Sequence, residues 1–369
     1  MIHFLINNDY HHVDFTLHAK QFNRSRIKLI EIVHTLERRD NSALAAATER
    51  FEPVNRRGFA RSVWSHCRLV PIIRERIRPR PEDVLFVYTE WELLNQVVVN
   101  LFRAAGARVY LIEDGGVGTY IPFRTTSSEP LTLRERVIAC IQASLPGVRS
   151  LRQRKLSGIV YPWMPDTAFD GVCFYQDVSI ARQIPVITVQ RPPEPHVEGD
   201  GRTALFLNQD LYAFGYQTEA EYLETLDTIV GALAKRFSQV SFAFHPRESE
   251  AWRAIIHERV LSGFPNVSVL PNRGGIEASV AAVRPAVVAS FNSTGLMNLF
   301  YRGIQPLYLF HLFPTLTRHP DFAENQRILE EMGYRFVPSL EAVAADYVSG
   351  LRQGASAAHA RTLADLVPT

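Results

Sequence analysis

Residues 84–116 read VLFVYTEWELLNQVVVNLFRAAGARVYLIEDGG, and this stretch decides the fold class. Val84–Tyr88 is a short apolar run bounded by Asp83 and Thr89, as a strand buried on both faces would be. From Trp91 to Ala105 the period changes, and Leu93, Val97, Val98 and Leu101 share one face of a helix. Gly106 stops that helix, and Arg108–Ile112 forms the next strand, which runs into Glu113-Asp114-Gly115-Gly116. Strand, helix, strand with connections this short is the βαβ unit of a parallel sheet.

Outward from this unit the same rhythm continues. Residues 2–6 (IHFLI) end in the polar turn Asn7-Asn8-Asp9 and read as an opening strand. Residues 121–160 differ: Pro122, Thr125–Pro130 and Pro146 punctuate an amphipathic stretch around Leu131–Leu145, and the basic run Arg149–Lys155 follows it. Val186–Val189 leads into RPPEPHVEGDG (191–201), whose proline, glycine and charge mark a domain boundary. Beyond it the strands Thr203–Leu207, Val240–Phe244, Val267–Leu270, Ala286–Ala289 and Gln305–Tyr308 alternate with helices at Glu219–Phe237, Ala251–Ser262, Ile276–Val283 and Thr294–Tyr301. Two terminal helices are expected after them. The expected architecture is α/β: one Rossmann-like domain over 1–195, a second over 202–350, and a helical tail over 351–369. Two such domains facing one another across a deep cleft make the GT-B fold, which binds ligands at strand carboxyl ends.

The bulk composition narrows the function. At 369 residues and 46% hydrophobic content the chain can bury two ordinary cores. A net charge of +2 provides no field that would demand nucleic acid. Only four of the 40 basic residues are lysine (Lys20, Lys28, Lys155, Lys235); this skew fits oxyanion recognition by guanidinium, but a genome-wide coding bias accounts for it better. Cys67, Cys140 and Cys173 are widely spaced and odd in number, which suits a reducing compartment and no metal site. MIHFLINNDYHH carries no secretory signal, and no apolar run is long enough to span a bilayer, so a cytoplasmic protein is expected. The amphipathic and basic segments at 131–155 suit either a peripheral contact at the inner face of a membrane or a solvated helix beside a linker.

Five places carry chemistry. Glu113-Asp114-Gly115-Gly116 follows a strand; adjacent residues there point to opposite faces, so the two carboxylates do not chelate one metal, whereas one alone suits a general base. His245-Pro246 ends another strand, where an imidazole can meet a phosphate oxygen. Ser290–Gly295, with Ser293-Thr294, lies between a buried strand and a helix, where hydroxyls and backbone donors can bind phosphate. Pro271 with Glu277 offers a carboxylate to ribose hydroxyls, and Asn208-Gln209 offers amides to a base or phosphate. Each also fits an ordinary turn, cap or loop. His11, His12 and His311 form no ligand spacing and read as surface or core histidines. No phosphate loop, dinucleotide fingerprint or nucleophile elbow occurs.

In combination, the elements resemble the bacterial sialyltransferases: an acidic-acidic-Gly element (Glu113-Asp114-Gly115), then His245-Pro246, then Ser293-Thr294, each after a strand. The second domain is most similar to glycosyltransferase family 52, the lipooligosaccharide sialyltransferases, through FLNQ (206–209) and Pro271–Glu277. Capsule polysialyltransferases and some Kdo transferases share the His-Pro and hydroxyl elements. Asn208 and Asn292 depart from the closest family's pattern. The resemblance covers residues 84–120 and 203–300.

That resemblance implies roles. Asp114 would deprotonate the acceptor hydroxyl, with Glu113, Gly115 and Gly116 on the acceptor side of the first domain. His245 would stabilise the departing CMP phosphate, Ser293 and Thr294 would bind it, Glu277 would hold the ribose, and Asn208, Gln209 and Pro271 would complete the donor site. The reaction would be an inverting, metal-independent transfer of sialic acid from CMP-Neu5Ac to a glycan, lipooligosaccharide or capsule in type and potentially lipid-linked, with no cofactor and no nucleic-acid partner. The alternatives are another CMP-linked 2-keto sugar acid (Kdo, pseudaminic or legionaminic acid), a UDP-sugar epimerase of similar fold, or a non-catalytic sugar-nucleotide binder.

Overall fold

The computed structural model describes the whole chain except residues 34–39, 54–58, 116–119, 125–127, 149–150, 157–158, 195–197, 246–247, 272–279, 345, 352–360 and 369. The chain forms two compact units: residues 1–114, 122–192 and 354–369 make the first, and 115–121 with 193–353 the second.

In the first unit the elements run β1 (Ile2–Ile6), α1 (Asp9–Ala19), β2 (Ile27–Ile32), β3 (Ala47–Phe51), α2 (Phe59–Arg76), β4 (Val84–Val87), α3 (Leu93–Ala104), β5 (Arg108–Ile112), the one-turn α4 (Ile121–Arg124), α5 (Leu133–Ala143), β6 (Arg152–Leu156), β7 (Ile159–Trp163), β8 (Gly171–Phe174) and β9 (Val186–Thr188). Seven strands form one parallel sheet in the order β3-β2-β1-β4-β5-β8-β9. Its central strands are buried at every position, which is why IHFLI and VLFV are continuously apolar rather than alternating. Gly106, at φ 77°, ends α3 in the left-handed conformation and turns the chain into β5.

The second unit runs β10 (Thr203–Leu207), α6 (Glu219–Arg236), β11 (Gln239–Ala243), α7 (Glu250–Arg259), β12 (Val267–Val269), β13 (Val287–Ser290), α8 (Thr294–Phe300), β14 (Pro306–Tyr308), α9 (Pro314–Thr317) and α10 (Pro320–Glu331). Its five strands are also parallel, in the order β12-β11-β10-β13-β14. A capping box of Thr218 and Glu221 starts α6, whose Tyr222, Leu226, Ile229, Val230 and Leu233 are buried. Each unit is thus an open, Rossmann-like α/β sheet.

One expectation changes, and two others are described only in part. The basic run is not a helix flank: Arg152–Leu156 is β6, an edge of a two-stranded antiparallel hairpin with β7. Of the helical tail expected over 351–369, residues 352–360 and 369 lie outside the described residues. Its described end belongs to the first unit, where Arg361 bridges to Val189 and a single 3-10 turn, Leu363–Leu366, buries Leu363. Of the helix expected over 276–283, residues 280–283 are helical and 276–279 lie outside the described residues.

Candidate active site

In the first sheet the strand order reverses between β1 and β4, and an open α/β sheet takes its ligand in the crevice beyond the carboxyl ends at such a reversal. The loops after β1, β4 and β5 deliver Asn7–His11, Tyr88 and Glu113-Asp114 there. Asn8 caps α1 by accepting the His11 N–H, and this fixes the first helical turn against the strand end.

His11 is fully buried, and its ring lies parallel to that of Tyr88, 4.7 Å away. The backbone N–H of Asn7 donates to His11 Nδ1 at 3.1 Å. With Nδ1 accepting, the proton of the neutral imidazole sits on Nε2, which donates to Oδ1 of Asp114. Asp114 keeps 24% of its side chain exposed, whereas His11 has none. In this pair only the carboxylate can be reached from solvent, so it is the group able to take a proton and the imidazole is the group that aims it.

Glu113 faces the other way. It is 2% exposed, and its Oε2 accepts the backbone N–H of Tyr175 at 2.9 Å, tying the end of β5 to that of β8. Gly115 follows at φ 70°, a conformation that side chains resist, so the turn needs glycine there.

Beneath the His11–Tyr88 stack lies a buried polar network. The carboxylate of Asp14 accepts Tyr88 OH at 2.9 Å and Tyr175 OH at 2.5 Å, and Arg191 Nε stands 3.4 Å from its other oxygen. His18 Nε2 is 2.8 Å from Tyr175 OH, and burial lowers the pKa of His18, which keeps it neutral. Burial, reinforced by the charge of Asp14, raises both tyrosines well above their ordinary value, so they remain donors. A single buried carboxylate is therefore matched by one guanidinium and two hydroxyls.

The second sheet reverses between β10 and β13. Asn208 and Gln209 follow β10, His245 lies just beyond β11, and Asn292–Thr294 follow β13, so these residues gather at the carboxyl end of one sheet. Their roles differ from those the resemblance implies for some of them. Asn208 does not present its amide to a ligand: it is 3% exposed, its Nδ2 donates to Glu248 Oε1 at 2.6 Å, and its Oδ1 accepts Tyr222 OH at 2.9 Å. The other Glu248 oxygen accepts the His245 backbone N–H at 2.7 Å. Asn208 and Glu248 thus hold the loop that carries His245. Burial pushes the Glu248 carboxyl up to about 7; the nearby Asp210 charge adds to this, while the His245 N–H and Arg253 oppose it.

Gln209 also acts within the protein, its Oε1 accepting the Asn292 N–H at 2.5 Å and so tying the hydroxyl loop to β10. Ser293 caps α8 by accepting the Gly295 N–H at 3.2 Å, which leaves its hydroxyl proton available to donate. Next to the His245 loop a cavity of about 620 Å³ is lined by Phe244, Arg253, His257, Val269 and Pro271, with Pro271 exposed. The Arg253 guanidinium lies 5.6 Å over the Phe244 ring and donates to the His245 carbonyl at 3.3 Å. Gly116, Pro246, Glu277 and the side chain of Thr294 lie outside the described residues. Among the described residues no three His, Cys, Asp or Glu side chains form a metal-binding group.

His11 is the residue the sequence reading passed over. The signal available was Asn8-x-x-His11, a cap and a first-turn histidine immediately after the first strand of a parallel sheet.

The alpha-2,8-polysialyltransferase family (POLYST) matches residues 4–303. The chain belongs to this family. As a member of the polysialyltransferase family it is a sialyltransferase-type glycosyltransferase, of a class that joins a CMP-sugar donor to a glycan acceptor. Comparison with curated proteins finds no match. Among solved structures, the UDP-GlcNAc 2-epimerase of Methanocaldococcus jannaschii is similar at a TM-score of 0.50 and 8% identity, over 99% of this chain and 98% of that one. A sialyltransferase GT-B domain from Photobacterium damselae gives 0.47 and 13% identity over 90% of this chain and 97% of that one. The UDP-GlcNAc 2-epimerase of Neisseria meningitidis, bound to UDP-GlcNAc, gives 0.47 and 11% over 89% of each chain. Likeness at such identities concerns the fold alone, which is GT-B; the family match assigns this polysialyltransferase relative to the transferases.

Proposed function

We propose that the enzyme transfers sialic acid from CMP-Neu5Ac to a hydroxyl of a cell-surface glycan of capsule or lipooligosaccharide type, by a single inverting, metal-independent displacement. The Asp114–His11 pair carries this reading. A partly exposed carboxylate, aimed by an imidazole whose tautomer is set by a backbone N–H, has the form of a general base for an acceptor hydroxyl. Inversion needs such a base on one face of the sugar and a stabilised leaving group on the other. For the donor half, His245 and the Ser293-Thr294 loop supply donors to the phosphate, and the cavity beside Phe244 and Arg253 has room for the nucleotide. CMP departs with one phosphate, a smaller charge than a pyrophosphate, and protein donors suffice to meet it. The acceptor chemistry belongs on the cytoplasmic side, where CMP-sugars are made available to it.

Incubation with CMP-Neu5Ac, CMP-Kdo or UDP-GlcNAc, with and without a sialylated oligosaccharide, tests this by nucleotide release and by NMR of the product anomer. CMP release from CMP-Neu5Ac with an inverted glycosidic product is the expected result. Turnover confined to CMP-Kdo would move the donor to another 2-keto sugar acid, and turnover of UDP-GlcNAc alone would overturn the reading.

A further inference from the structure

Helix α5 wears its amphipathicity inside out. Its polar back meets the protein: Glu135, its only carboxylate, forms an ion pair with Lys155 of β6 at 3.0 Å, and Gln142 accepts from Gln153 at 2.7 Å. Its apolar face points to solvent. Leu133, Val137 and Ile141, at i, i+4 and i+8, are 80%, 52% and 40% exposed, and the exposed Cys140 lies on the same side. At one residue per 1.5 Å this stripe runs roughly 12 Å along the helix. A capping box of Thr132 and Glu135 holds the helix start, so the stripe is presented on a fixed turn.

The charge around the stripe has one sign. At 100° per residue Arg134 falls on one flank and Arg136 on the other, and both are exposed. Two residues of the basic run are engaged elsewhere: Arg154 lies 4.6 Å over the Trp163 ring and Lys155 is paired with Glu135. Arg152 on the same hairpin remains exposed. An apolar strip edged by guanidiniums, with the helix's acid turned inward, is complementary to an apolar layer roofed by anions. Among the described residues no helix is long and apolar enough to cross a membrane, so this contact would lie on the surface.

We propose that the solvent face of α5 (Leu133, Val137 and Ile141, flanked by Arg134 and Arg136) docks the enzyme onto an anionic phospholipid bilayer. The side chains enter the headgroup boundary while the arginines meet lipid phosphates. This is independent of the donor and acceptor chemistry, since no residue of the face belongs to the candidate active site.

Flotation of the full chain with phosphatidylglycerol-containing vesicles, against pure phosphatidylcholine vesicles, tests it. Binding is expected to the anionic vesicles only. Each surface arginine adds about five-fold to partitioning at an anionic surface, so Arg134→Gln/Arg136→Gln should bind roughly 25-fold more weakly. Val137→Asp/Ile141→Asp should abolish flotation while leaving the melting temperature and the circular dichroism spectrum unchanged, because these side chains are not packed in the core. Absence of binding to either vesicle, equal binding to both, or wild-type flotation by the Asp variant would each overturn the proposal. So would a stable dimer in light scattering that the Asp variant dissolves, since the stripe would then be covered by a second copy.

Discussion

The Nε2–H of His11 is donated to the carboxylate of Asp114 across 103 residues of chain, so the first helix of the sheet aims an acid that follows its fifth strand. The two residues meet because β1 and β4 are neighbours and β5 lies beside β4, which brings the loops after β1 and β5 to opposite rims of the same crevice. Asp114→Asn keeps the shape of this pair and removes its ability to take a proton. Turnover should fall ~10²–10⁴-fold with donor affinity little changed, as initial rates and CMP-donor titration would reveal.

Glu113→Gln is the matching control. Gln retains an oxygen for the Tyr175 N–H, so transfer should stay near normal. If Glu113→Gln were the dead variant and Asp114→Asn active, the base would be the wrong carboxylate.

His11 acts through Asp114, and its loss should show in rate rather than in folding alone. His11→Phe preserves a ring over Tyr88 but donates nothing. A hydrogen bond to a charged group is worth about 1.5–3 kcal/mol, which corresponds to a drop of roughly 10- to 150-fold in kcat. His11→Gln, whose amide can donate, should fall between wild type and His11→Phe, with KM little changed in both variants. A normal kcat in His11→Phe would make His11 a packing residue only.

Tyr88→Phe and Tyr175→Phe each remove a donor from the buried Asp14 carboxylate. Each should lower stability by about 1–3 kcal/mol in urea unfolding. Because both serve one acceptor, the double variant should deviate from the sum of the singles.

Glu248 gives the second unit a pH dependence of definite sign. Its carboxyl is raised from an ordinary value of 4.5 to about 7 in the fold, so the folded state holds a proton that the unfolded chain releases. The stabilisation is complete below pH 4.5 and is lost as pH rises through 7. Glu248→Gln should flatten the difference in melting temperature across that window. A parallel curve for wild type and variant would show that Glu248 is not the titrating group.

On the proposed mechanism, in which His245 and the Ser293-Thr294 loop meet the phosphate, transfer should persist in EDTA. Complete loss of activity restored only by Mg²⁺ or Mn²⁺ would contradict this.

Much of the architecture was legible in the sequence because a parallel strand buried on both faces is a continuous apolar run, and helices beside it keep a 3.6-residue period. IHFLI, VLFV, RVYLI and TALFL each announce themselves in this way. The strand β3 (ATERF) did not: it is an edge strand with two exposed and two half-buried positions, so nothing in its composition sets it apart from a loop.

The acidic turn, the His-Pro element and the hydroxyl loop could be named from sequence because each follows a strand, and strand ends are where such sheets work. What each side chain does there was decided only by folding. Asn208 and Gln209 carry amides suited to a ligand, yet tertiary contacts tie the Asn208 side chain to Glu248 and Tyr222 and the Gln209 oxygen to the Asn292 N–H. Glu113 and Asp114 are alike in charge, and only the pleat separates a buried brace from a carboxylate that solvent can reach. The carboxylate that His11 aims lies 103 residues away along the chain. This partner is set by strand order, a property of long-range pairing that local pattern does not encode, and so the tertiary structure alone could put the imidazole on the carboxylate.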